Sequence, residues 1–138
     1  MKYTDGKNIM VYAQSADGAP VGAALETVSK AAELAKANGE EVIAVVFGKD
    51  TDTKTVITAG ASKVLVAGEE GLQAEEEAQI LVKLAEKYQP KAVYMAGTPE
   101  GKMIAPAVSA VFESGCVTDV TGITADGVYT SLSCLLYT

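Results

Sequence analysis

The segment 97-GTPEGK-102 holds residue types that could bind a phosphate group: two glycines, with a lysine beside the second one. A nucleotide-triphosphate P-loop has the pattern G-x-x-x-x-G-K-[ST], in which backbone N–H groups surround the phosphates and the hydroxyl binds magnesium. Here three residues instead of four separate the glycines, and Met103 stands where the hydroxyl is needed. Pro99 removes one N–H donor, and Glu100 adds a carboxylate where phosphate oxygens would lie. The segment is therefore not a P-loop.

The same segment can form a structural turn between a strand and a helix. Pro106 costs little only within the first turn of a helix, so regular helix is expected to begin at about Lys102 or Met103. The N–H groups of a first helical turn form a generic anion site. A structural turn is compatible with an anion or nucleotide site, and the candidate cofactor-binding residues are those of the turn. These residues are Gly97, Thr98, Gly101 and Lys102.

Side chains for other chemistry are scarce. The chain contains no histidine, which excludes Ser-His-Asp and Cys-His nucleophile systems and His-ligated zinc. Cys116 and Cys134 share no C-x-x-C spacing, so neither a metal site nor a disulfide framework is indicated. The acidic run over residues 69–77 lacks the spacing of a calcium loop and fits a solvated helix start. Asp119 lies in a strand pattern without a paired acid, so no catalytic residue is assigned.

Composition and charge narrow the class of protein. The chain has 138 residues, of which 49% are hydrophobic and 21% charged, as in a folded domain with a core. The net charge of −7 comes without any basic cluster, which argues against nucleic acid as a partner. No transmembrane run or signal peptide is apparent, so we expect a cytoplasmic protein without membrane partners.

The elements that must position these residues follow from hydrophobic periodicity. Four apolar runs are continuous and rich in β-branched residues, as in strands buried on both faces: Ile9–Ala13, Val42–Phe47, Val64–Ala67 and Ala92–Ala96. Four stretches between or after them have helical spacing: Pro20–Asn38, Asp52–Ala59, Gln73–Tyr88 and Lys102–Ser114. Pro20 suits a first helical position, and Gly39 and Gly60 suit helix ends.

Strand–helix alternation with such long intervals predicts a parallel sheet with right-handed crossovers. Cys116–Thr124 and Val128–Tyr137 are predicted strands joined by the turn 125-ADG-127, which should form an antiparallel C-terminal edge. The predicted fold is α/β: one domain over residues 1–138, a three-layer α/β/α sandwich with a mostly parallel, Rossmann-like sheet of the adenine nucleotide alpha hydrolase type. Ligands of such sheets lie where the strand order reverses, so the loops 14-QSADGAPVG-22 and 97-GTPEGK-102 should flank the crevice.

A more specific pattern lies in residues 90–123. It reads G-x-x-x-G-[RK]-x-x-A-P, then a helix, a small-residue turn and T-D-V-T-G. Its members here are Gly97, Gly101, Lys102, Ala105, Pro106, Thr118, Asp119, Val120, Thr121 and Gly122. Together with 60-GASKVLVAG-68 and the order strand, long helix, strand, the pattern closely resembles the N-terminal domain of the alpha subunit of electron-transfer flavoprotein. The resemblance extends from about Ile9 to Tyr129.

The resemblance implies an alpha–beta heterodimer that accepts electrons from flavin dehydrogenases and passes them on through a bound FAD. In that family most FAD contacts come from a second, C-terminal domain, while the N-terminal domain serves as scaffold and packs against the beta subunit. This chain ends at Thr138, where the second domain would begin. We therefore expect a component of an electron carrier that is not a catalyst by itself, does not bind FAD alone, and associates with a beta-like subunit or with itself.

Three features depart from the family pattern. Lys102 stands where arginine is usual, and Met103 stands where an acid is usual. Lysine lacks the rigid bidentate fork of arginine, so an inter-domain ion pair carried by that arginine is in doubt. The ending 131-SLSCLLYT-138 also differs from the family's glycine-containing connection into the flavin domain.

The sequence allows two other functions. The fold and the loops Gln14–Gly22 and Gly97–Lys102 allow an adenine-nucleotide-binding regulatory domain resembling the universal stress proteins, with AMP or ATP as its ligand. A hydrolytic or transfer enzyme would have to use Asp119 or Lys102. This last hypothesis is the weakest of the three, because the chain has no histidine and no carboxylate pair at a fixed spacing.

Overall fold

The computed structural model describes residues 7–68, 71–112, 116–120 and 133–137, and for residues 112, 116–120 and 133–137 it describes the backbone only. The strands are β1 (Ile9–Tyr12), β2 (Ser15–Ala16), β3 (Ala19–Pro20), β4 (Val42–Phe47), β5 (Lys63–Ala67), β6 (Ala92–Ala96), β7 (Cys116–Val120) and β8 (Ser133–Tyr137). The helices are α1 (Gly22–Ala37), α2 (Thr53–Ala59), α3 (Ala74–Tyr88) and α4 (Pro99–Phe112).

Six strands form one sheet in the order β5-β4-β1-β6-β8-β7, and every adjacent pair in it is parallel. Helices α1 and α2 pack on one face of the sheet, and α3 and α4 pack on the other. The predicted three-layer α/β/α sandwich with a Rossmann-like parallel sheet is therefore confirmed.

The central strands supply both faces of the core. In β1, Ile9 and Val11 pack toward α1 and α2, whereas Met10 and Tyr12 pack toward α3 and α4. All four side chains are at most 3% exposed. Because alternate residues of a strand point to opposite faces, a strand covered on both faces needs an unbroken apolar run. This requirement explains why the bounds of β4 and β6 agree with the sequence prediction.

Local chemistry sets the helix ends. Asp52 caps α2 by accepting a hydrogen bond from the Thr55 backbone N–H at 3.2 Å, and the Thr55 hydroxyl and backbone bonds hold the pKa of the Asp52 carboxyl below its usual value. Gln73 and Glu76 form a capping box at the start of α3. Gly39, with φ +67°, follows α1 in the left-handed conformation that was expected there.

Pro20 is not the first residue of α1, as the sequence suggested. It lies in β3, paired with Ser15 of β2, and α1 begins at Gly22. The cause is the dipeptide 17-DG-18, whose φ values of 53° and 79° are those of a tight two-residue hairpin turn. The hairpin holds the chain in extended conformation until Val21, so the helix starts two residues late.

Helix α4 begins at Pro99, three residues before the predicted start, and Pro106 lies inside it. The Thr98 hydroxyl accepts a hydrogen bond from the Gly101 N–H at 3.1 Å, and the Thr98 carbonyl accepts one from the Lys102 N–H at 2.9 Å. This cap, together with a proline at the first helical position, stabilises an earlier start. The interior proline removes one helical hydrogen bond but does not set the boundary.

The antiparallel C-terminal edge is wrong. Strand β8 lies between β6 and β7 and pairs parallel with both. The twelve residues 121–132 separate β7 from β8, and a parallel connection requires a crossover of about that length. A turn motif such as 125-ADG-127 reports only on neighbouring residues, whereas the direction of a strand depends on pairing with strands distant in sequence. Residues 125–127 themselves lie outside the described residues. The antiparallel pairing in the described chain is β2 with β3.

No helix among the described residues has the length and apolar character needed to cross a membrane.

Candidate functional site

The strand order reverses between β1 and β6. The chain passes from β1 to β4 and β5 on one side and then returns to β6 on the other side of β1. The carboxyl ends of these neighbouring parallel strands lead into the loop after Tyr12 and the turn after Ala96. In an open α/β sheet, this reversal is where ligands bind. The structure therefore brings together the two loops that the sequence predicted to flank a crevice.

The two loops contact each other through Gln14. Its side-chain oxygen accepts a hydrogen bond from the Thr98 hydroxyl, and its side-chain N–H donates to the Glu100 carboxylate at 3.1 Å. Thr98 in turn caps the first turn of α4. One amide side chain thus links the end of β1 to the start of α4, across 84 positions in the sequence.

The four candidate cofactor-binding residues have unequal positions in this arrangement. Gly97 and Thr98 are half-buried between β6 and α4, Gly101 is buried, and Lys102 is exposed. The backbone N–H groups of Gly101 and Lys102 already donate to Thr98, and Pro99 has no N–H. The Glu100 carboxylate lies in the same turn, where the helix dipole stabilises a negative charge. The turn therefore carries its own anion, which disfavours a bound phosphate.

A second polar contact lies on the α3 side of the crevice. The Tyr12 hydroxyl donates a hydrogen bond to Glu77 Oε1 at 3.0 Å, and the Tyr12 ring packs edge-on against Phe47 with centroids 5.9 Å apart. Burial is the main cause that raises the pKa of the Tyr12 hydroxyl, and the Glu77 charge raises this pKa further. Burial also raises the pKa of the Glu77 carboxyl; the Tyr12 hydrogen bond lowers it, and the Glu100 charge raises it.

Sequence reasoning missed the Tyr12–Glu77 pair. Tyr12 belonged to an apolar run and Glu77 to an acidic helix start, so each had an ordinary structural explanation. The hydrogen bond joins residues 65 positions apart, and no spacing rule encodes such a contact. The one available signal was position: Tyr12 ends a buried strand whose carboxyl end faces the predicted crevice.

The arrangement offers little for catalysis. Within the described ranges, no group of three or more His, Cys, Asp or Glu side chains could hold a metal ion. The backbone of Asp119 lies in β7, but its side chain belongs to the part that the structure does not describe. Lys102 is exposed and forms no nucleophile–base pair with the described groups of the crevice. The described polar side chains of the crevice form two separate hydrogen-bonded sets, Tyr12 with Glu77 and Gln14 with Thr98 and Glu100.

FAD is the cofactor that the sequence resemblance implies, and its pyrophosphate needs N–H donors or cations. At this crevice the described first-turn N–H donors of Gly101 and Lys102 are bonded within the chain, and the carboxylates of Glu77 and Glu100 outnumber the exposed ammonium of Lys102. The described residues do not fit the phosphates of FAD, so no chemical step of the flavin is assigned to them.

Comparison with known proteins identifies the family. Residues 9–134 match the electron transfer flavoprotein domain. The chain is 29% identical over 131 residues to the electron transfer flavoprotein subunit alpha of Clostridium acetobutylicum, a match that covers 91% of this chain and 39% of that protein. It is 29% identical over 127 residues to the corresponding subunit of Thermoanaerobacterium thermosaccharolyticum, covering 88% of this chain and 38% of that protein.

A third relative is the subunit LctC of the lactate dehydrogenase (NAD(+),ferredoxin) of Acetobacterium woodii, which is 29% identical over 120 residues. That match covers 83% of this chain and 29% of LctC. The chain thus spans less than two-fifths of the length of these relatives. The family match nevertheless covers both halves of the parallel sheet, from β1 into β8. The chain belongs to the electron transfer flavoprotein domain family.

Proposed function

We propose that this chain is the scaffold and partner-binding domain of an alpha-type electron transfer flavoprotein subunit, with residues 1–138 forming one domain. The observation that carries the proposal is the family match over residues 9–134, together with the similarity to relatives named as alpha subunits. The domain takes part in FAD-dependent electron transfer in the cytoplasm, and it is not a catalyst by itself.

The polar crevice supports the assignment of a scaffold role. Gln14 is hydrogen-bonded to both Thr98 and Glu100 where a Rossmann-like sheet ordinarily receives a ligand. The Gln14 contacts hold the start of α4 against the end of β1. The flavin is then held mainly by protein outside this chain, and the beta-like subunit of the carrier is the partner.

The first test is the colour of the isolated chain. After expression with FAD available and gel filtration, we expect a preparation without the visible absorbance of flavin. Addition of excess FAD followed by a second gel filtration should give the same result. Stoichiometric flavin absorbance that remains with the protein would overturn the assignment of the flavin site to other parts of the carrier.

The second test is association with a beta-like electron transfer flavoprotein subunit encoded in the same genome. With an affinity tag on the beta-like subunit, we expect the two chains to co-purify in equal amounts. Co-purification is also measured for two variants. Glu77→Gln changes the crevice, and Lys30→Gln changes the opposite helical layer, so the comparison indicates which side of the domain contacts the beta-like subunit. Failure of any complex to form would contradict the partner-binding part of the proposal.

A further inference from the structure

Helices α3 and α4 expose a groove that the crevice chemistry does not involve. The groove has a volume of about 520 Å³ and lies between α3 and α4 on the outer side of their layer. Ala78, Val82, Ala107 and Val111 contribute to its apolar lining. Val111 is 44% exposed, and Met103, about two turns earlier on the same face of α4, is 61% exposed. Since α4 also buries an apolar face on the sheet, it is apolar on two sides, as in helices that are covered by a neighbour.

The exposed column of α3 carries a regular charge pattern. Glu75, Gln79 and Lys83 follow one another at intervals of four residues, so they lie in one line along the helix, and all three are exposed. The acid and the base lie about 12 Å apart with the neutral amide midway between them. If a second α3 packs antiparallel across Gln79, Glu75 meets Lys83 of the second copy, and Lys83 meets its Glu75. The column is therefore complementary to itself.

The exposed column of α4 has the same internal symmetry. Met103, Ala107 and Val111 are also four residues apart, with the small side chain in the middle. Helices α3 and α4 run in the same direction because each connects parallel strands of one sheet. A single two-fold axis, perpendicular to both helices and crossing α3 at Gln79 and α4 at Ala107, therefore pairs each column with its copy in the antiparallel direction. It places Met103 against Val111 of the second copy, and the small Ala107 allows close approach.

We propose that the α3–α4 surface, formed by Glu75, Gln79, Lys83, Met103, Ala107 and Val111, is the contact of a two-fold homodimer of this chain. The partner is a second copy because the charge pattern matches itself in the antiparallel arrangement and would meet like charges in the parallel one. Two Glu75–Lys83 contacts per dimer fix the register, and the two apolar columns are removed from water. Each copy carries a net charge of −7, so these local opposite charges also offset repulsion during encounter.

The test uses charge reversal and the oligomeric state of the full chain by sedimentation velocity at low ionic strength, where ion pairs are least screened. Glu75→Lys alone and Lys83→Glu alone each create two like-charge contacts, and each should weaken dimerisation at least about tenfold. The double variant Glu75→Lys/Lys83→Glu reverses the pattern and should dimerise like the unchanged chain. An equimolar mixture of the two single variants should form a mixed dimer.

The matched control is Lys36→Glu, which makes the same charge change at an exposed position on α1 in the opposite layer. It should leave the dimer unchanged. Far-UV circular dichroism and thermal unfolding of each variant verify that the exposed substitutions leave the fold intact. A monomeric unchanged chain at all accessible concentrations, a dimer that is insensitive to Lys83→Glu, or a double variant that fails to recover would each overturn the proposal. These outcomes are independent of whether the chain binds a beta-like subunit.

Discussion

At the scale of single residues, the two partly buried hydroxyls of the crevice each donate to an acceptor on another element, and the physical reason is burial. A hydroxyl at the end of a covered strand must find an acceptor, because an unpaired buried polar group is costly. Tyr12 finds one in Glu77, and the Thr98 hydroxyl finds one in Gln14. The consequence for Glu77 is a carboxylate in partly apolar surroundings with the charge of Glu100 nearby, which raises its pKa.

The raised pKa of Glu77 predicts a pH dependence of stability. The folded protein binds the Glu77 proton more tightly than the unfolded chain does, so the stabilisation from this group is complete below the unfolded pKa of about 4.5. It is lost as the pH rises through the higher folded pKa. Glu77→Gln keeps an oxygen that accepts from the Tyr12 hydroxyl but cannot ionise. Its free energy of unfolding should therefore increase relative to that of the unchanged chain as the pH rises from about 4 to about 7.

Urea unfolding at several pH values measures this difference. Glu26→Gln is the control, because it removes a charge from an exposed position on α1, away from Tyr12 and from the α3–α4 surface. Its difference from the unchanged chain should vary less with pH. A Glu77→Gln difference that stays constant or decreases with rising pH would show that the folded pKa of Glu77 is not raised.

At the scale of elements, most boundaries follow from local chemistry that the sequence displays. Continuous apolar runs predicted β4 and β6 with their observed bounds, and the glycines after α1 and α2 predicted helix ends. Pro20 and Pro106 misled the sequence prediction for a common reason. A proline is compatible with more than one local structure. The turn at 17-DG-18 places Pro20 in a strand, and the cap at Thr98 starts α4 before Pro106.

The end of α2 shows how closely two elements approach. Gly60 has φ +131°, and a Cβ atom added there would lie 2.6 Å from the Ala32 Cβ of α1. Gly60→Ala should destabilise the protein by about 2–3 kcal/mol, through backbone strain and displacement of α1. Gly71→Ala is the control: its φ is also positive, at +82°, but no described residue beyond its chain neighbours lies within 4 Å of the added atom. It should cost about 1 kcal/mol from backbone strain alone.

Thermal or urea unfolding of both variants separates strain from steric overlap. Equal destabilisation of Gly60→Ala and Gly71→Ala would mean that α1 moves away without cost, and that the contact between α1 and α2 is not tightly packed.

The loops at the amino ends of β4 and β6 are joined by an ion pair. Lys91 Nζ lies 2.6 Å from Glu40 Oε1, and the two side chains are 16% and 8% exposed. Glu40 Oε2 also accepts a hydrogen bond from the Asn8 backbone N–H at 3.1 Å. Lys91→Met leaves the Glu40 carboxylate buried with less compensation and should destabilise the fold by about 3 kcal/mol. The double variant Glu40→Gln/Lys91→Met should cost less than the sum of the single changes.

A double-mutant cycle by urea unfolding checks this coupling, with Lys30→Met as the control because Lys30 forms its ion pair with the exposed Glu33. The control should change stability by about 0.5 kcal/mol or less. Additive effects of Glu40→Gln and Lys91→Met would show that the pair does not act as a unit.

At the scale of the whole molecule, the sequence predicted the layers but not all of the strand directions. Alternating strand and helix patterns specify a parallel α/β sheet, because crossovers of that length must pass over a face of the sheet. The position of β8 between β6 and β7 depends on pairings that are distant in sequence, so a local turn signal suggested the wrong edge. The sequence predicted which two loops flank the crevice. It did not predict the hydrogen bonds Tyr12–Glu77 and Gln14–Thr98, because these join residues 65 and 84 positions apart.

A Rossmann-like sheet ordinarily binds a ligand where its strand order reverses, so a nucleotide site is expected there, but the described residues of the crevice disfavour one. AMP or ATP would bring phosphates next to Glu77 and Glu100 and would have to break the Gln14 contacts to Thr98 and Glu100. We therefore predict no measurable change in the unfolding temperature when AMP or ATP is added at millimolar concentration. A ligand present at about 100 times its Kd would stabilise the fold by about 2.7 kcal/mol, which such a measurement readily detects. Sodium sulfate at equal ionic strength controls for general salt effects. A saturable increase with AMP or ATP that sulfate does not reproduce would establish a nucleotide site, and the regulatory function resembling the universal stress proteins would then replace the scaffold assignment.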